Sequence, residues 1–136
     1  MATPTFFNSF KEALSEKVHN LGSDQLKIAL TNSAPSTSNT VLTNITEITY
    51  TNLSTRNVTT ISSSQTSGTY KLDLTDLVLT STGGSTGPFR YIVLYNDTAA
   101  SDELIYFLDY GSSITLAAGE SITINFDNST GAITLT

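Results

Sequence analysis

Two segments, "FRYIVLY" at 89–95 and "LIYFLDY" at 104–110, are nearly unbroken apolar and aromatic runs in a chain otherwise dominated by serine and threonine. A strand with one wet face alternates apolar and polar side chains, so a run without alternation needs cover on both faces. The connection between them, "NDTAASDE", has hairpin length and Asx-rich turn chemistry. The two runs are therefore expected to be central strands, with an opposing sheet on one face and a further element on the other.

The candidate for that further element is the only convincing helical pattern. Phe7, Phe10, Leu14, Val18 and Leu21 recur at three- and four-residue steps between Thr5 and Leu21, with Lys11, Glu12, Ser15 and Glu16 opposite. Thr3 or Thr5 suits the cap, Pro4 the first turn, and Gly22 a left-handed end. Beyond it "QLKIALT" alternates Leu26, Ile28 and Leu30 against Lys27 and Ala29, the pattern of a strand with one buried face. Val41 to Tyr50 lacks a clean period and reads as a loop with a short turn or weak strand. Further strands are expected at Val58–Ser64, Tyr70–Leu74, Leu77–Ser81, Phe89–Tyr95, Leu104–Asp109, Ser121–Phe126 and Ala132–Leu135. In "SITINF" Ile122, Ile124 and Phe126 should face inward, and Thr123 and Asn125 outward.

Short strands at this spacing indicate a sandwich or barrel of antiparallel strands, and 136 residues suffice for one domain with its own core. The expectation is one domain over residues 1–136, with a helical segment at 1–22 and a β-sandwich at 23–136. About 31% of residues are Ser or Thr against 13% charged, so hydroxyls and amides carry much of the solubility. Net charge is -6, and the basic residues Lys11, Lys17, Lys27, Arg56, Lys71 and Arg90 are scattered, which argues against nucleic acid or an anionic membrane surface as a partner. No run of 18 apolar residues offers a membrane span, and "MATPTFFNSFKEALSEKV" lacks the layout of a secretory signal. The absence of cysteine fits folding in a reducing cytoplasm and survival in oxidising surroundings.

Residues with chemically capable side chains have plainer readings. His19 has no evident orienting carboxylate or nucleophile and reads as a helix-end or packing histidine. Asp97, Asp102, Glu103 and Asp109 crowd one turn without calcium-loop spacing. Asp73 and Asp76 in "LDLTDL" suit a turn between strands better than an acid/base pair. "TGGSTGP" lacks the lysine and following helix of a phosphate loop. Asn-x-Ser/Thr triplets at Asn44, Asn52, Asn57, Asn96 and Asn128 follow from composition. Tyr91, Tyr95, Tyr106 and Tyr110 would serve a carbohydrate-binding face only if exposed together. The expectation is no enzyme, no catalytic residue, no cofactor and no metal.

"FFNSFKEALSEKVHNLGSDQLKIALTNSAP", then "GPFRYIVLYNDT", "LDYGSSITLAAGESITINFD" and "GAITLT", resemble small structural proteins of tailed-phage virions. The shared pattern is a first helix ending in a His/Phe-Asn-Leu step, a strand near "LKVAL" with a Thr-Asn turn, and later "RYVVLY.DT" and "LIAY.DYGSS". The resemblance covers both ends of the chain and is weakest over Val41 to Ser67. It implies a jelly-roll-like decoration or cement protein that binds the major capsid protein lattice on the outside of the head. The chain is expected to be made in the host cytoplasm and, because wet, threonine-rich strand edges need closing contacts, to act as a homo-oligomer, dimer or trimer. A tail or baseplate component, or a receptor-binding module, is the alternative within the same class.

Overall fold

The computed structural model describes residues 3–126 and 129–136. Its elements run β1 (Thr5–Phe6), α1 (Phe10–Ser15), β2 (Leu26–Thr31), a 3-10 turn at Leu42–Asn44, β3 (Asn57–Val58), β4 (Thr60–Thr66), β5 (Thr69–Leu74), β6 (Leu77–Thr80), β7 (Thr86–Asn96), β8 (Leu104–Leu116), β9 (Ser121–Ile124) and β10 (Ile133–Leu135). A five-stranded sheet has the order β1-β8-β7-β2-β3, a three-stranded sheet the order β10-β5-β4, and β6 pairs with β9. All pairings are antiparallel. The protein is mainly β, and its layers are consistent with a β-sandwich.

Register explains how the core fills. Ile28, Leu94 and Tyr106 are cross-strand neighbours over β2, β7 and β8, and Leu30, Ile92 and Leu108 form the adjacent row. These rows meet Leu72 and Leu74 of β5, Leu79 of β6, Ile124 of β9 and Ile133 of β10 in one buried cluster. Each buried aliphatic side chain of this kind contributes about 1.5–3 kcal/mol. Of the "SITINF" set, Ile124 and Phe126 are buried and Ile122 half-buried, while Thr123 and Asn125 are exposed, as alternation requires.

The opposite face of β2, β7 and β8 is covered too. Ala29, Val93 and Phe107 lie side by side in register there, and Phe7, Leu42 and Ile45 pack over that face. Phe7 and Phe107 have ring centroids 5.4 Å apart. The second cover is thus the segment preceding α1 together with the 3-10 turn, in place of the expected helix. α1 packs instead with the main core, through Phe10 and the half-buried Leu14, with Leu21 beyond it.

The helix is also shorter than its pattern. Thr5–Phe6 pairs with Phe107 and Tyr106 as a strand, so Phe7 and Phe10 enter different clusters in place of one stripe. The helix ends early because Lys17, φ 69°, takes the left-handed position expected of Gly22. Val18 N then donates to Ala13 O at 2.9 Å, and Lys17 N to Leu14 O at 3.4 Å, a Schellman closure.

β7 and β8 extend beyond their apolar runs. Thr86 pairs with Leu116 and Phe89 with Ile114, with bulges between, so backbone pairing carries the strands through the exposed residues 110–113. Gly87 permits this: at φ 127° a Cβ would lie 2.8 Å from the Ile114 carbonyl oxygen.

Phe7→Ala and Phe10→Ala are each expected to cost about 3–5 kcal/mol, because each empties a different buried cluster. Urea denaturation of each single variant should show a loss of that size. Leu14→Asp, at a half-exposed position, should cost less than either.

Candidate functional site

The polar centre of the molecule is Asn96, the last residue of β7, which is fully buried. Its Nδ2 donates to Asp24 Oδ2 at 2.6 Å and lies 3.0 Å from His19 Nδ1. Its Oδ1 accepts from the backbone N–H groups of Thr98 and Ala99, at 3.0 and 3.1 Å, and so shapes the β7–β8 connection. Asp24 Oδ2 also accepts from Asn20 N at 2.8 Å. One amide therefore ties the segment after α1 to the central hairpin. Buried polar groups of this kind hold only when partnered, which makes the tie specific.

His19 is 5% exposed and stacks beside Phe10 at 5.6 Å. It lies four residues past α1, so packing, and not the helix dipole, accounts for its position. With Nδ1 accepting from Asn96, the proton resides on Nε2, which is buried without a hydrogen-bond partner. Burial pushes the imidazole below its ordinary value of 6.5, against a smaller upward pull from Glu103 and Asp24.

A second cluster closes the outer edge of β2 beyond the two-residue β3. Leu30 N donates to Tyr50 Oη at 2.9 Å, and Tyr50 Oη donates to Glu47 Oε1 at 2.8 Å. The Arg56 guanidinium donates to Ile28 O at 2.7 Å and lies 3.7 Å above the Tyr50 ring. Burial drives the Tyr50 hydroxyl pKa well upward, so it stays protonated. These residues fall in and beside the segment read as loop, and their roles depend on contacts remote in sequence.

The acidic residues of the β7–β8 turn and of β8 serve separate contacts. Asp109 forms a two-point pair with Arg90, at 2.8 and 3.1 Å, which holds its carboxyl below the usual range. Asp102 is raised by burial first and then by the charges of Asp97 and Glu103. Among the described residues no group of three or more His, Asp or Glu could hold a metal ion. Asp73 accepts from Ser62 and faces Lys71 at 3.4 Å, whereas Asp76 accepts from Phe126 N, so the two serve separate backbone and side-chain ties. In "TGGSTGP" the polar groups close on one another: Ser81 Oγ donates to Gly84 O at 2.7 Å and lies 2.8 Å from Thr86 Oγ1. The tyrosines do not form an exposed row, since Tyr95 and Tyr106 are buried on opposite faces and only Tyr110 is largely exposed. Of the five triplets, Asn96 is buried, and Asn128 lies outside the described residues.

Two surface features remain. A groove of about 510 Å³ runs between α1 and β10, lined by Phe6, Phe10, Lys11, Leu14, Thr134 and Leu135. The outer edge of β4 is the other. No helix among the described residues is long and apolar enough to cross a membrane. Comparison with protein-family models, with curated proteins and with solved structures found no match.

Because folding lowers the His19 pKa, the neutral form is favoured by the native state, and stability falls as pH drops below about 6.5. The Asp109 contribution is lost only at more acid pH, below its ordinary 3.8. His19→Phe should therefore flatten the melting temperature between pH 7 and pH 5 relative to the parent. Addition of EDTA at pH 7 should leave the melting temperature unchanged.

Proposed function

We propose that this protein is a structural component of a bacteriophage virion that binds the outside of the assembled capsid and reinforces the head. The observation that carries the reading is the resemblance of the segments at 6–35, 87–98, 108–127 and 131–136 to small phage virion proteins. Physical features support it. β7 and β8 are buried on both faces and tied by Asn96 to the amino-terminal segment, which makes a stiff body suited to clamping neighbouring subunits. The surface carries net charge -6 and abundant hydroxyls, so it stays soluble before assembly and is repelled by packaged DNA. In this reading the sandwich is of jelly-roll type, the partner is the major capsid protein lattice, and the working form is a homo-oligomer.

A ligand that binds only the intact shell stabilises it by RT ln(1 + [L]/Kd) per site, so weak contacts accumulate over many copies. Heads assembled with the protein should survive heating that bursts heads lacking it, and antibody labelling should decorate the head. Equal survival, or label confined to the tail, would replace this reading with a tail or baseplate role.

A further inference from the structure

The five-stranded sheet is open along β8 beyond Phe107, where Asp109, paired with Arg90, places charge at the edge. β3 and the Tyr50–Arg56 cluster occupy the side of β2, and β1 on the other side is two residues long. β10 spans three residues. β4 differs: seven residues, Thr60–Thr66, bordering its sheet on the side away from β5. Among the described residues no backbone hydrogen bond from another segment closes positions 61–66 on that side. The β4–β5 turn, Ser67–Gly68 with φ 51° and 85°, is a two-residue hairpin with Thr66 opposite Thr69. In such a hairpin the flanking pair is hydrogen-bonded, so Thr66, Ser64 and Ser62 direct their backbone groups to β5, and Gln65 and Ser63 direct theirs outward. An unpaired row of this length is a template for strand addition.

We propose that a second copy of this chain occupies the edge, with the two β4 strands antiparallel about a two-fold axis at Ser63, giving a continuous sheet of six strands. The proposal deepens the homo-oligomer part of the reading above and rests on it only there. Charge selects the occupant. Self-association of a chain with net charge -6 is opposed by repulsion, yet Asn57 to Tyr70 carries no charged side chain. Natural edges are commonly guarded by lysine, proline or inward charge, and β4 has none of these. About Ser63, Thr60 meets Thr66, Ile61 meets Gln65 and Ser62 meets Ser64, so no like charges face each other across the axis. A two-fold contact closes after one partner and so avoids open-ended growth.

The chain has no native cysteine, so single-cysteine cross-linking gives a clean test. At the axis Ser63 and its mate form a hydrogen-bonded pair with Cα atoms about 5.5 Å apart, within disulfide reach. Ser63→Cys should form a covalent dimer under mild oxidation, whereas Thr66→Cys, about 20 Å from its mate, should not. Gln65→Pro, which removes an outward N–H, should shift the sedimenting species from dimer toward monomer with its circular dichroism retained. An oligomer that fails to cross-link at position 63, or cross-links equally at 66, overturns this interface and leaves the homo-oligomer reading standing. A monomer at high concentration overturns both.

Discussion

Two strands without a polar face set the problem that the rest of the chain solves. β7 and β8 place Ile92, Leu94, Tyr106 and Leu108 on one side and Val93, Tyr95 and Phe107 on the other. Leaving either side wet would forgo about 25 cal/mol for each Å² of apolar surface. The three-stranded sheet and the β6–β9 pair cover the first side. The second is covered by irregular chain: Phe7 before the helix, and Leu42 and Ile45 in the long segment after β2. Irregular cover carries unpaired backbone, and Leu42 N bonding to Asp102 O at 3.1 Å, with Ile48 N to Leu30 O at 3.0 Å, shows how the β7–β8 connection and the sheet satisfy it.

The polar ties follow from the same requirement. Cover made of loop holds its place only when pinned, and the pins are Asn96 with Asp24 and His19 at one end of the hairpin, and Tyr50 with Arg56 and Glu47 along β2. Each links residues distant in sequence, so each reduces the freedom of a long segment at the cost of a few oriented side chains. The Tyr50 cluster also closes the β2 side of the five-stranded sheet, whereas β4 and the part of β8 beyond β1 stay open among the described strands.

Strand content and the two-sided burial of 89–95 and 104–108 were legible from hydrophobic pattern alone, as was the alternation of "SITINF". The helical pattern overstates the helix for a definite reason. Phe7 and Phe10, three residues apart, fit one helical face, but the same spacing lets an extended residue and a helical residue point into different cores. Pattern also missed β8 beyond Asp109, because residues 110–113 are exposed and held by backbone pairing, which leaves no hydrophobic trace. Asn96 was visible only as a turn residue, and Tyr50 and Arg56 only as parts of a loop. Their partners lie 20 to 77 residues away, beyond what a local window can read. No site residue was read from the sequence, and the polar centre around Asn96 is structural in its geometry.

Native-state amide hydrogen exchange tests the central claim most directly. If β7 and β8 are the doubly covered heart of the fold, the amides of Ile92 to Tyr95 and Ile105 to Leu108 should exchange only through global unfolding and be the slowest in the chain, with β2 close behind. Slowest exchange in β4, β6 or β9, with rapid exchange along β7 and β8, would contradict it.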